Sequence, residues 1–510
     1  MIAVKTTSHL TSGRLLAHNT VWNLIGQLLP MAAGIVCVPA LVNGLGVARF
    51  GVLSLAWIVI GYFSLFDLGI GRALTKLVAD KLGAGEEETI SPLVWTSLLL
   101  MLLMGVMAGL ITLGISHWLV ERALKVPAEL QRETLHGFYL LAASIPMVTV
   151  TAGLRGILEA QQRFALTNAI RVPMSIFSFA GPLLALPFSH GLVPVIIILV
   201  AGRLAGLVAH ILACFHAMPI LRHNISVQAS EIGPLLNFGS WITLTNILGP
   251  VVSYVDRFLI GALISVSAVA YYTTPLDVVS RITVIPGALA GVLFPAFAIS
   301  LTQDPKHTSL LLGRALKYIL IITYPIMLVT VCLAPEMLRL WLGPVFAHNS
   351  SNVMRWLAAG VFVNCFALVP VAFVQGANRP DISAKLYLLE LPLYVGMIWV
   401  LTKHWGIEGA AIAWGIRVTM DAMLLFYFTY KLLPNKPTFL PKLAITVSGG
   451  LLMLYLSTLP QSLMIRGVFL CVSLTAFGLM SWFRGLGLVE RRFLLGSKSV
   501  SVTNLSEGQL

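Results

Sequence analysis

Charged side chains recur inside the apolar runs of this sequence, and their types suit two kinds of chemistry. Arg72, Arg203, Arg257, Arg281 and Arg417 offer planar forks of donors that hold phosphate or carboxylate oxygens in pairs and never lose their charge. Asp67, Asp256, Asp277, Glu390 and Asp421 can carry a proton or a metal cation, or organise a polar cavity. A charge at the centre of a bilayer helix costs roughly 2.5 to 3.5 kcal/mol on insertion scales, so each of these groups needs a partner, a ligand or water.

Spacing separates them. Asp277 and Arg281 are four residues apart, share a helical face and can pair directly, as can Arg417 and Asp421. Asp256 and Arg257 are neighbours pointing about 100° apart, and Asp67 and Arg72, five apart, diverge by about 140°. Their partners must come from other helices or from water. Arg203 sits in the segment GRLAG with no acid within four positions, which makes it a candidate for an anionic ligand. Its neighbours Gly202 and Gly206 have the small-xxx-small spacing that lets helices approach closely. Counting about 1.5 Å per residue, Arg203, Asp277, Glu390 and Arg417 fall near the bilayer midplane, and Arg72 nearer the cytoplasmic end. The plainer reading of the whole set is interhelical pairing that only fixes packing.

The elements that position these residues are transmembrane helices. With 510 residues, 58% hydrophobic and 10% charged, the chain has too little polar surface for a water-soluble protein. The apolar runs recur about 14 times at the length of roughly 20 residues that a bilayer core requires. Among these spans are Gly51–Ala79, Leu166–Phe188, Val269–Ile299, Ala384–Leu401 and Ala411–Tyr430. The expected fold is an all-α integral membrane protein with two pseudo-symmetric six-helix lobes around a central cavity, plus two C-terminal helices. Residues 1–218 form the first lobe, 219–432 the second, 433–483 the extra pair and 484–510 a cytoplasmic tail. Pro30 and Pro250, about 220 residues apart, mark corresponding places in the two lobes, as transporter repeats do.

Basic residues set the orientation. About 21 Lys and Arg fall on one side of the spans against about 8 on the other, which places both termini in the cytoplasm. The net charge of +13 reflects this bias and contact with anionic lipid rather than nucleic acid. The loop Glu121–Leu135 runs against the trend. Cys37, Cys214, Cys332, Cys365 and Cys471 lie in apolar runs without metal-site or disulfide spacing and read as small core residues. Prolines such as Pro146, Pro173, Pro275 and Pro392 interrupt helical hydrogen bonding and bend their spans.

Two stretches carry a family resemblance. The run YVDRFLIGALISVSAVAYYTTPLDVVSR and the N-terminal segment containing FDLGIGRALTKLVA resemble the Wzx-type polysaccharide (O-antigen) flippases of the multidrug/oligosaccharidyl-lipid/polysaccharide exporter superfamily. The resemblance implies that the chain moves an undecaprenyl-diphosphate-linked oligosaccharide across the bacterial inner membrane by alternating access, with or without ion coupling, for O-antigen, capsule or exopolysaccharide synthesis. It also implies a basic cavity that holds the pyrophosphate. Arg257 and Arg281 match charged positions of the second motif and Arg72 one of the first; Arg203 and Arg417 rest on burial alone. Asp67, Asp277 and Glu390 are the candidate ion carriers. Implied partners are membrane lipids, a polysaccharide polymerase and a chain-length regulator.

No P-loop, HExxH, paired CxxC or DxD-type pair is present, so neither an enzyme active site nor a cofactor or metal is expected. His210 and His216 read as packed or interfacial side chains. Two other functions fit parts of this pattern. A drug or cation antiporter of the same superfamily needs an acidic binding site, and a glycan polymerase or ligase needs a large periplasmic catalytic loop. The longest connections, Ala334–Arg355 and the tail from Arg484, are too short for such a domain.

Overall fold

The computed structural model describes residues 13–62, 70–161, 163–223, 225–233, 251–303, 305–377, 379, 381–433, 439–460, 462–485 and 491. Every regular element among them is a helix or helical turn. Apolar runs in lipid have no other way to pair their backbone groups short of a closed barrel. In chain order the helices are α1 (Gly13–Leu45), α2 (Val47–Tyr62), α3 (Ile70–Ala84), α4 (Ile90–Trp118), α5 (Ala128–Ala160), α6 (Phe164–Ala180) and α7 (Leu192–Ala217). Residues 251–263 form α8. Then follow α9 (Val266–Ser280), α10 (Val284–Gln303), α11 (Pro305–Cys332), α12 (Ala334–Leu342), α13 (Pro344–Gly376), α14 (Asp381–Leu432), α15 (Phe439–Leu456) and α16 (Leu463–Met480).

Among the described residues, 8 helices are long and apolar enough to cross a membrane, and Leu29–Leu45 and Val47–Ile58 are shorter apolar helices. The total stands below the 14 expected partly because α14 holds two spans. Its 52 residues would extend about 78 Å as one helix, against a hydrocarbon core of about 30 Å. The chain instead leaves helical geometry at Trp405 and at Gly406, where φ is 57°. Three residues on, a side chain at Gly409 would run into the Leu401 carbonyl, so the chain turns sharply between the two arms. The expected spans Ala384–Leu401 and Ala411–Tyr430 are these arms.

Other boundaries differ from the expectation. The predicted span Val269–Ile299 is divided by a 3₁₀ turn at Arg281–Thr283; the described parts of Gly51–Ala79 lie in α2 and α3, and residues 63–69 of that span lie outside the described residues. The predicted connection Ala334–Arg355 is helical, made of α12 and the start of α13, and most of Glu121–Leu135 belongs to a π turn and α5.

The residues fall into two compact units. The first comprises Met1–Pro275, Trp341–Val353 and Ala384–Trp414. Ile70, Leu74, Leu93, Met101, Leu154 and Cys214 form part of one of its cores. Hydrogen bonds cross its helices: Thr149 Oγ1 donates to the Met101 carbonyl at 3.1 Å and Cys214 Sγ to that of Leu154 at 3.2 Å. Glu133 on α5 pairs with Arg49 Nε at 3.0 Å and accepts from the Leu192 backbone N–H, capping an orphan donor at the start of α7. On α4, Met101, Gly105 and Ala108 face the core while Leu103, Met107, Leu110 and Ile111 are exposed, as a lipid-facing helix requires.

The second unit comprises Leu276–Leu340, Met354–Ser383 and Gly415–Leu510. There α11 packs against α10, α15 and α16, with the Tyr324 ring between Phe362 and Phe477. Arg466 joins α16 to α12 through Glu336 Oε1 at 2.8 Å. Four cysteines are buried as expected; Cys471 is not, because its face of α16 is exposed.

Candidate functional site

Three helices of the first unit converge on a cavity of about 210 Å³. Each contributes a stripe at helical spacing: Val148, Thr151 and Arg155 from α5, Arg171, Ser175 and Ser178 from α6, and Leu199, Arg203, Gly206 and His210 from α7. Room for it depends on the glycines of α7. A Cβ at Gly202 would lie 2.6 Å from the Phe177 ring, and one at Gly206 would lie 3.4 Å from Met174 Sδ, so α6 and α7 approach closely where Arg203 projects.

The cavity is basic. Arg155, Arg171 and Arg203 line it, and no carboxylate does so among the described residues. Arg155 reaches Glu159 at 3.5 Å, but both side chains are substantially exposed, and such i,i+4 pairs contribute only about 0.3 to 0.5 kcal/mol. Arg171 and Arg203 are half-buried and make no ion pair or hydrogen bond among the described residues. Guanidinium groups without counter-charge in an apolar helical setting can hold an anion, and Arg155, Arg171 and Arg203 come from three different helices.

In a second polar cluster of the same unit the carboxylate of Asp256 is satisfied. Asp256 is fully buried on α8. Its Oδ2 accepts from Tyr272 Oη at 2.7 Å and Tyr394 Oη at 3.2 Å, and Oδ1 from the Arg257 backbone N–H at 2.8 Å. The Arg257 guanidinium lies 4.5 Å over the Tyr254 ring. Glu390, one turn before Tyr394 on α14, is 1% exposed. The cluster ties α8, α9 and α14 together through three donors to one carboxylate.

The remaining predicted residues do not join the cavity. Arg72 is exposed on α3, and Asp67 lies outside the described residues. Asp277, Arg281, Arg417 and Asp421 belong to the second unit. Arg281 is exposed at the start of a 3₁₀ turn and makes no ion pair with Asp277. Arg417 and Asp421 are half-buried on one arm of α14.

The sequence profile of polysaccharide biosynthesis proteins matches residues 16–300, more than half of the chain. The chain belongs to the polysaccharide biosynthesis protein family. Among relatives, a Shigella flexneri protein described as an O-antigen transporter is 28% identical over 414 residues, covering 80% of this chain and 96% of its own. A Haloferax volcanii protein described as the flippase AglR is 21% identical over 392 residues, covering 75% and 77%. The lipid II flippase MurJ in an inward closed conformation superposes with a TM-score of 0.69 at 15% identity, over 92% of this chain and 99% of that one. An inward-facing multidrug MATE transporter gives 0.67 at 16% identity, over 85% and 98%. This family member therefore has the multi-helical transporter fold of MurJ and the MATE proteins.

Within this fold, sequence reasoning passed over two cavity arginines and read the histidine as a packed or interfacial side chain. Arg171 lies inside the predicted span Leu166–Phe188 and could have been found as a charge in an apolar run, as Arg203 was. Arg155 has an acid four residues on and reads as a self-satisfied pair near a span end. His210 carried no signal beyond its place in an apolar helix.

Proposed function

We propose that this polysaccharide biosynthesis protein is a flippase that carries a polyprenyl-diphosphate-linked oligosaccharide across the bacterial cytoplasmic membrane, with Arg155, Arg171 and Arg203 holding the diphosphate. The observation that carries the proposal is the convergence of these three arginines on one cavity lined by no carboxylate among the described residues. Charge-assisted hydrogen bonds contribute roughly 1.5 to 3 kcal/mol each, so three guanidinium groups can hold a diphosphate against the loss of its hydration. The cavity volume of about 210 Å³ lies below the roughly 300 to 1,000 Å³ of whole small-molecule sites, which fits the phosphates and the adjoining group rather than an oligosaccharide. The names of the Shigella flexneri and Haloferax volcanii relatives, an O-antigen transporter and a flippase, agree with this reading. A cation or drug antiporter would need acids in the cavity, and the described lining has none.

Transport then proceeds as the cavity opens alternately to the two membrane faces while the lipid tail stays in the bilayer. Both termini lie in the cytoplasm, Glu390 or Asp277 is the carrier if an ion drives the cycle, and a polymerase and a chain-length regulator act on the delivered glycan. Arg171→Gln, Arg203→Gln and the double variant, expressed in cells lacking their own flippase, test the reading. Surface polysaccharide should fall at least tenfold in each single variant at unchanged membrane abundance, since about 1.4 kcal/mol of lost binding already gives that factor. Normal export by the abundant double variant overturns the proposal.

A further inference from the structure

The arginines leave one group of the cavity unused. His210 is 5% exposed and lines the same cavity as Arg203, two turns along α7. Its Nδ1 lies 2.8 Å from the Gly206 carbonyl, which can only accept, so Nδ1 carries the proton. In the neutral ring this leaves Nε2 as a lone-pair acceptor. Nε2 is buried and meets no hydrogen-bonding group among the described residues. Buried polar atoms in folded proteins are almost always satisfied, and this one belongs to a side chain that lines a cavity whose other polar side chains include three guanidinium donors. Arg155 and Glu159 of α5 are the charged groups whose fields reach the imidazole.

The donor that Nε2 calls for is absent from an ionised diphosphate diester, whose oxygens all accept. It is present on a sugar, where every hydroxyl carries a proton to give. We propose that His210 Nε2 accepts a hydrogen bond from a hydroxyl of the sugar joined to the diphosphate, so that the cavity reads the first sugar and the phosphates together. The inference rests on the flippase reading of the cavity and adds to it a residue that discriminates between a glycosylated and a bare polyprenyl diphosphate. A site with a buried acceptor rejects the analogue that lacks its donor, because the acceptor is then left unpaired.

Binding to the full-length protein in phosphatidylcholine nanodiscs tests it, with polyprenyl diphosphate, the same lipid carrying one hexose, and phosphatidylglycerol as ligands. Wild type should bind the hexose-bearing lipid about tenfold more tightly than the bare diphosphate. His210→Asn retains a donor for the Gly206 carbonyl but has no atom at the Nε2 position. It should bring the two affinities together while leaving that for the bare diphosphate unchanged. His210→Gln, which places an amide near Nε2, should restore most of the preference, and thermal unfolding of both variants checks that the fold is intact. A preference that survives His210→Asn overturns the inference, as does a His210-dependent preference for phosphatidylglycerol, whose glycerol also carries hydroxyls. Wild type that binds both diphosphates equally overturns this inference and leaves the flippase reading standing. Wild type that binds neither overturns both.

Discussion

Arg203 and Asp256 are both charges held in apolar helices, yet they predict opposite outcomes on substitution. Arg203 has no ion pair or hydrogen bond among the described residues, so Arg203→Gln orphans nothing. Its melting temperature should stay close to wild type while transport falls; Arg203→Lys should recover only part, because it keeps the charge and loses the fork. Asp256 accepts from Tyr272, Tyr394 and the Arg257 backbone. Asp256→Ala leaves those buried donors without their acceptor and removes the negative charge beside the buried Arg257, and should lower stability by about 3 kcal/mol or more, read as early unfolding in detergent and loss of protein from membranes. Arg203 was legible in the sequence because its isolation from acids is a local property. The role of Asp256 was not, because its tyrosines lie 16 and 138 residues away. The i,i+4 rule also misled at Asp277 and Arg281, since that spacing permits a pair without requiring it and Arg281 is exposed.

Helix existence was read from hydropathy with little error, and helix ends were not. Apolar length decides whether a segment crosses the membrane, whereas breaks depend on tertiary approach. Gly51 on α2 shows this: a side chain there would overlap the Val266 backbone carbonyl at the start of α9, a contact invisible to hydropathy. Gly46, between α1 and α2, has φ 78° and open space around it. Gly46→Ala should therefore cost about 1 kcal/mol from backbone strain alone. Gly51→Ala should cost more, about 1 to 3 kcal/mol or beyond, since a backbone carbonyl cannot rotate away. Chemical denaturation of the two variants side by side checks the order, and equal losses would mean that α2 and α9 are not in contact. On α7, Gly202→Leu should push against Phe177 and close the cavity beside Arg203, reducing transport more than stability.

For the whole molecule, the class was legible because a chain with 58% hydrophobic and 10% charged residues can satisfy its surface only in lipid. The cavity was less so, because it is assembled from α5, α6 and α7, and of their three arginines only Arg203 stands out locally. The bias of basic residues predicts cytoplasmic termini, with Arg484, Arg491, Arg492 and Lys498 in the tail. A reporter active only in the periplasm, fused at Leu510, should be silent; strong activity would reverse the orientation. The most direct test of the three-arginine cavity is flipping by purified protein in proteoliposomes. A fluorescent polyprenyl-diphospho-sugar is placed in the inner leaflet, and its arrival outside is followed with a membrane-impermeant quencher. Wild type should move the lipid, while the Arg171→Gln, Arg203→Gln double variant, inserted to the same density and equally resistant to heat, should be at least a hundredfold slower from about 2.7 kcal/mol of lost headgroup binding. Equal rates from the two proteins would contradict the account.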